Sequence, residues 1–314
     1  MNIKNITVVG SGTMGHGIAQ LCAESGLNVN IYDISDENLN KGFQNIKKNI
    51  SMNVDNGKFT KEKAEEILKR ISIVKVLKDA VCDAQLVIEC IAENLVIKQK
   101  VYGELDSLCD PSVILASNTS GLSPSEIAKH LKHPERMVIA HFWCPPELIP
   151  LVEVVPGEKT SREVVEKTAD WITSIGKQPV KMKKECLGFI GNRMQLALLR
   201  EAMYIVEQGF ADIEEVDKAV EYGLGRRLPV TGPLCSADLG GLDIFDNISS
   251  YLFKDLCNSA EQSKLLKAKV DAGNLGCKSG SGFYDWTTEA LEKKQVERAE
   301  LLRYFLKEDM KNNK

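Results

Sequence analysis

The chain has only four histidines, His16, His130, His133 and His141, and they sit in unlike surroundings. His130 and His133 lie in a polar helix-to-turn stretch, and His16 falls inside a helical pattern. His141 alone follows an apolar run, Met137–Ala140, and precedes the turn Phe142-Trp143-Cys144-Pro145-Pro146. An imidazole titrates near neutral pH, so it can take a proton from an alcohol and give it back. Glu153, on the next apolar run Leu151–Val155, could hold the other ring nitrogen and stabilise imidazolium. Taken singly, His141 reads equally well as a hydrogen-bonded core residue and Glu153 as a strand-edge carboxylate. As a pair they suggest an acid–base dyad.

Alcohol oxidation also needs a hydride acceptor. The apolar run Asn5–Val9 leads into Gly10-Ser11-Gly12-Thr13-Met14-Gly15, followed by a helical pattern. In a dinucleotide-binding turn Gly10 makes the bend, Gly12 admits a pyrophosphate, and Gly15 lets helix pack on strand. The free N–H groups and positive dipole end of that helix would face the phosphates. Asp33 ends the second strand, where a carboxylate accepts hydrogen bonds from a ribose 2′-hydroxyl and repels a 2′-phosphate. The next basic residue is Lys41. The glycines alone could form an ordinary turn and Asp33 alone could cap a helix; together they point to NAD rather than NADP.

These residues need a sheet to position them. Apolar runs at Asn5–Val9, Asn28–Tyr32, Leu86–Glu89, Val113–Ser117, Met137–Ala140 and Leu151–Val155 alternate with helical stretches, the sign of a parallel sheet covered by helices. Between the second and third runs, Phe43, Ile46, Ile50 and then Ala64, Ile67, Leu68, Ile71 fall at helical spacing. The break at Asn53–Gly57 makes this interval an inserted helical hairpin. Beyond Gly188 the chain reads as helices, at Asn192–Gln208, Ile213–Tyr222, Ser236–Leu256, Ser259–Ala272 and Glu289–Lys311. The expected architecture is an α/β Rossmann-like domain over residues 1–185 and an all-α domain over 186–314.

Composition narrows the class. With 314 residues, 43% hydrophobic and 27% charged, the chain suits two globular domains. Forty basic against 44 acidic residues give a net charge of −4, which argues against a nucleic-acid partner. No apolar run reaches the roughly 18 residues of a membrane span, and no signal-peptide cleavage site follows the first apolar run. Nine scattered cysteines, none paired at zinc spacing, read as reduced thiols of a cytoplasmic protein without a metal site.

The ordered set of motifs, from the glycine turn through Asn118-Thr119-Ser120, His141, Glu153 and Gly188-Phe189-Ile190-Gly191-Asn192-Arg193 to Gly280-Ser281-Gly282-Phe283-Tyr284, resembles the L-3-hydroxyacyl-CoA dehydrogenase family, which includes bacterial 3-hydroxybutyryl-CoA dehydrogenases. The resemblance covers nearly the whole chain. It implies NAD as oxidant, a homodimer formed through the helical domain, and an acyl-CoA substrate. It casts His141 as general base and Glu153 as its partner. Ser120 and Asn192 would hydrogen-bond the substrate oxygen, with Ser120 also near the nicotinamide. Glu93, Lys98 and Lys278 resemble the family's cofactor contacts. Read without the resemblance, Ser120 and Asn192 are helix caps, and the three charged residues are solvated.

Three departures stand out. The family's Phe-Phe-Asn-Pro turn is Phe142-Trp143-Cys144-Pro145 here, so Cys144 replaces an amide on the nicotinamide side with a poorer hydrogen-bonding group. The segment Pro145-Pro146-Glu147-Leu148-Ile149-Pro150 resembles the turn of carnitine and gulonate dehydrogenases, and the tail beyond Tyr284 is longer than in the short butyryl-CoA enzymes. The expected activity is NAD-dependent oxidation of a short-chain L-3-hydroxyacyl-CoA. Its rivals are the same chemistry on a CoA-free 3-hydroxy acid such as carnitine, and a non-catalytic NAD-binding protein.

Overall fold

The computed structural model describes residues 3–312. The chain forms two compact units: one runs to Ile190 and takes in the last helix from Ala299, and the other is Gly191–Arg298. This differs from a division after residue 185 with the whole tail in the second domain. The first unit extends further because Phe189 is buried in its core and the Ile190 N–H donates to Glu153.

In the first unit, β1 (Asn5–Val9), α1 (Thr13–Glu24), β2 (Asn28–Tyr32), the hairpin α2 (Asp36–Asp55) and α3 (Lys61–Lys69), and β3 (Ile71–Ile73) come first. Then follow β4 (Leu86–Glu89), β5 (Ile114–Ser117), β6 (Met137–Phe142), β7 (Leu151–Pro156) and β8 (Gln178–Lys181). The strands form one sheet in the order β3-β2-β1-β4-β5-β6-β7-β8. The order reverses between β1 and β4, which opens a crevice at the carboxyl ends of those strands. Ile6, Val8 and Ile88 pack against α1 and the hairpin on one face of the sheet, while Val9, Val87 and Leu115 pack against Tyr102 and Leu105 on the other. Burial on both faces explains why the central strands read as continuous apolar runs. The hairpin is framed by two hydroxyl caps, Ser35 accepting from the Asn38 N–H and Thr60 from the Lys63 N–H.

All neighbours run parallel except β6 and β7, which are antiparallel. The link Trp143–Pro150 is too short for a parallel crossover, which needs about a dozen residues. Two strands depart from the expected pattern. Ile71 belongs to β3 rather than to the preceding helical stripe, and β8 contains Pro179, which fits an edge position.

The second unit is helical, with small bridges from Ser281 to Gly276 and to Asp285. Its first helix is Gly191–Glu207. The expected helix Ile213–Tyr222 is α-helical to Ala219 and widens into a π-type turn, Val220–Leu224. The expected helix Ser236–Leu256 is two, Pro233–Gly240 and Leu242–Leu252, divided at Gly241 with φ +93°. The expected Ser259–Ala272 shortens to Lys264–Asp271, and the last helix spans Thr288–Asn312. The Tyr284 hydroxyl donates to Asp217 at 2.7 Å, tying the Gly280–Tyr284 turn to the helix Ile213–Ala219.

The glycine turn itself is sterically specified. Gly10 has φ +99°, and a Cβ there would sit 2.7 Å from the Cys90 carbonyl oxygen. A Cβ on Gly15 would lie 1.8 Å from the Gly10 carbonyl oxygen, whereas one on Gly12 would meet no atom within 4 Å. Gly15→Ala is therefore expected to destabilise the first unit by about 2 kcal/mol or more. Gly12→Ala should leave the melting temperature near wild type while weakening dinucleotide binding. Thermal unfolding with NADH fluorescence titration checks both; equal stability of the two variants would contradict the steric reading.

Candidate active site

The antiparallel pairing of β6 with β7 places His141 opposite Glu153. Opposed residues in such a pair project from the same face, so the two side chains meet, with Nδ1 and Oε2 2.8 Å apart. Both are buried, His141 at 6% exposure and Glu153 at 0%. A carboxylate only accepts hydrogen bonds, so with Glu153 ionised Nδ1 would carry the proton and leave the Nε2 lone pair available. His141 does not follow the strand, as its sequence setting suggests; it lies within β6, and Glu153 lies within β7.

Three further residues hold the pair, and sequence patterns did not single them out. The Trp143 indole N–H donates to Glu153 Oε2 at 3.2 Å, and the Ile190 N–H to Oε1 at 2.9 Å. The rings of Trp143 and Phe189 flank the imidazole, with centroids 5.8 and 5.6 Å away. Phe189 has φ +52°, a left-handed conformation costing roughly 1–2 kcal/mol for a side chain with a Cβ. That turn, entered through Gly188 at φ +74°, brings both the Phe189 ring and the Ile190 N–H to the dyad. The signal available in the sequence was Gly188 before an aromatic.

The Asn-Thr-Ser segment follows β5. The Phe142 N–H donates to Asn118 Oδ1 at 2.8 Å, joining this loop to the histidine strand. Glu93 Oε1 accepts from the Thr119 hydroxyl and from the Ser120 N–H at 3.1 Å, leaving the Ser120 side chain exposed. Lys98 is not solvated: it is buried against Glu89 at 2.6 Å, with Glu93 at 3.5 Å. Cys144 is exposed beside the cis bond to Pro145. Asn192 lies in the first turn of Gly191–Glu207, and Lys278 is exposed near the Gly276–Ser281 bridge; both belong to the second unit.

The glycine turn fits a dinucleotide. α1 has Gly12 as its N-cap, with no side-chain cap and no acidic residue in its first turn, so its first N–H groups are open to an anion. Asp33 Oδ2 accepts from the Ser11 N–H and hydroxyl, both at 2.8 Å, and Oδ1 from the Ser35 N–H at 3.0 Å. Asp33 thus pins the turn, and its oxygens keep lone pairs for a ribose hydroxyl. Gly10, Ser11, Gly12, Thr13, Met14 and Gly15 with Asp33 would hold the pyrophosphate and ribose.

Two family models match the chain. Residues 5–186 match the model for "3-hydroxyacyl-CoA dehydrogenase, NAD binding domain", and residues 188–286 match "3-hydroxyacyl-CoA dehydrogenase, C-terminal domain". The chain belongs to the 3-hydroxyacyl-CoA dehydrogenase family. It is an NAD-dependent oxidoreductase of that superfamily. It is 38% identical over 312 residues to a Mesorhizobium japonicum 5-formyl-3-hydroxy-2-methylpyridine 4-carboxylate 5-dehydrogenase, covering 96% of each chain. It is 39% identical over 287 residues to a Bacillus subtilis probable 3-hydroxybutyryl-CoA dehydrogenase, covering 91% of this chain and 98% of that one. A crystal structure of the pyridine carboxylate enzyme, described as an NAD+ dependent dismutase, superposes with a TM-score of 0.86. The two are 36% identical, and the match covers 98% of this chain and 99% of the other.

If the dyad is the proton-transfer group, His141→Gln should cut turnover by about 10³-fold, while NADH affinity stays within about threefold, on the order of 0.6 kcal/mol. Glu153→Gln should lose less, because the imidazole keeps its ring neighbours. Steady-state kinetics checks this, and unchanged turnover in His141→Gln would refute the base assignment.

Proposed function

We propose that this enzyme oxidises the hydroxyl of a small, CoA-free hydroxy acid with NAD, and reduces the corresponding carbonyl in reverse. The observation that carries the reading is the end-to-end similarity to the pyridine carboxylate dehydrogenase, at 96% of both chains. The family model ends at residue 286 and the Bacillus relative covers 91% of this chain. The longer match therefore extends into the tail, and its name carries no CoA. The segment Pro145–Pro150 supports the same reading through its likeness to the turn of carnitine and gulonate dehydrogenases. The second reading, a short-chain L-3-hydroxyacyl-CoA, is favoured by the 39% identity to the Bacillus relative.

Both readings share one mechanism. His141 Nε2 accepts the hydroxyl proton as the carbon gives up hydride, and Glu153 stabilises the resulting imidazolium. NAD, when bound, supplies the hydride acceptor. The exposed Ser120 hydroxyl, on a loop held by Glu93, hydrogen-bonds the substrate oxygen, and Asn192 is the second donor assigned by the family resemblance. Such donors meet charge as it develops on that oxygen. Glu93, Lys98, Cys144 and Lys278 keep their assignment to the cofactor side, with Lys98 acting from within the protein.

We further infer a homodimer through the second unit, whose surface leaves Val230 and Leu234 about 85% exposed alongside Leu239 and Phe245. The nine free thiols suit a reducing, cytoplasmic location.

Following the NADH absorbance band separates the two substrate readings. Oxidation of carnitine, 3-hydroxybutyrate or a hydroxymethylated pyridine carboxylate with NAD, or reduction of a formylated pyridine carboxylate with NADH, and no turnover of acetoacetyl-CoA with NADH, is the expected outcome. Efficient acetoacetyl-CoA reduction with inert CoA-free acids would overturn it in favour of the thioester. Asp33→Ala should erode the preference for NAD over NADP by about tenfold, the effect of roughly 1.4 kcal/mol. An unaltered ratio would remove Asp33 from the ribose site.

A further inference from the structure

Glu89 ends β4 beside the crevice where the strand order reverses, paired in register with Val9 on one side and Ser117 on the other. Its carboxylate is fully buried, yet every hydrogen bond it accepts leads towards a loop at that crevice. Oε1 accepts from the Ile91 N–H at 2.7 Å and from the Lys98 ammonium at 2.6 Å. Oε2 accepts from the Ser117 hydroxyl at 2.7 Å, and Ser117 Oγ accepts in turn from the Thr119 N–H at 3.2 Å. Lys98, 1% exposed, has Glu93 as its second anionic neighbour at 3.5 Å. Glu93 is half in solvent and holds the Thr119 hydroxyl and the Ser120 N–H.

A buried ion pair is an inefficient way to stabilise a fold, since neutral residues of similar volume often serve as well. What neutral residues cannot do is divide one cation between an interior carboxylate and a crevice carboxylate. Held by Glu89, the Lys98 ammonium stays at the base of the network, and Glu93 remains free to bind the loop. Without Glu89, the same cation would draw Glu93 inward and away from Thr119 and Ser120.

We infer that Glu89 is a positioning residue, which acts through Lys98 and Ser117 to hold Glu93 and the Asn118–Ser120 loop in place at the dinucleotide crevice. It rests on the NAD-binding assignment of the first unit and not on the identity of the substrate. Lys98 is accordingly a positioning residue as well, buried behind Glu93.

The test uses the full chain and needs no substrate. The single variant Glu89→Gln keeps the side-chain volume and leaves the Lys98 ammonium facing Glu93 alone, so the chain should fold with a lowered melting temperature. NADH fluorescence titration should show at least fivefold weaker binding. Amide hydrogen exchange in residues 118–122 should accelerate at least tenfold, with the rest of the sheet unchanged. Glu89→Asp, which keeps the charge but withdraws it from Lys98 and Ser117, should show the same loss of affinity and faster loop exchange, and serves if Glu89→Gln fails to fold. NADH affinity and loop exchange within twofold of wild type in a folded variant would overturn the inference. So would exchange that rises equally throughout the first unit, which would make the network merely structural. A wrong substrate assignment would leave all these readouts unaffected.

Discussion

The hydrogen bond between His141 and Glu153 exists because β6 and β7 run antiparallel in one register. A slip of one residue would send one of the two side chains to the opposite face of the sheet. The short Trp143–Pro150 link enforces the reversal, in a sheet otherwise parallel between neighbours. The same link returns the Trp143 indole to the carboxylate, so the connection that sets the strand direction also supplies a donor to the dyad. With donors on both of its oxygens, Glu153 is fixed in orientation, and the imidazole it holds is fixed with it.

The rest of the first unit brings two other groups to the same end of the sheet. The glycine turn, pinned by Asp33 through Ser11, leaves an uncapped helix end over the crevice. The loop after β5 is tied on one side to β6 through Asn118 and on the other to Glu93. Cofactor turn, serine loop and histidine strand thus rest on β1, β5 and β6 of one sheet, joined through β4, rather than on independent loops. Rigid support of this kind keeps a reacting pair within the small tolerance that proton and hydride transfer allow.

Much of this was readable from residue order. β1, β2 and β4 begin and end where their apolar runs do, and the hairpin breaks where Asn53–Gly57 indicates. β3 was hidden because a three-residue strand carries no periodicity, and Ile71 continued the stripe of Ala64, Ile67 and Leu68. β8 was hidden by Pro179, and Gly241 broke a helix whose apolar pattern ran on regardless. In the site, His141 and Glu153 could be picked out by type and setting, but their antiparallel register could not. The left-handed Phe189 and the burial of Lys98 are tertiary outcomes. A lysine in an exposed-looking helix start carries no mark of the Glu89 that will meet it.

The central claim is that Glu153 fixes the protonation site of His141 and leaves Nε2 as the base. Long-range proton–nitrogen NMR of the labelled protein, with the His141 signal assigned by its loss in His141→Gln, measures this directly at a pH where the imidazole is neutral. The account predicts a protonated Nδ1 and an unprotonated Nε2. A neutral ring carrying its proton on Nε2 would contradict it.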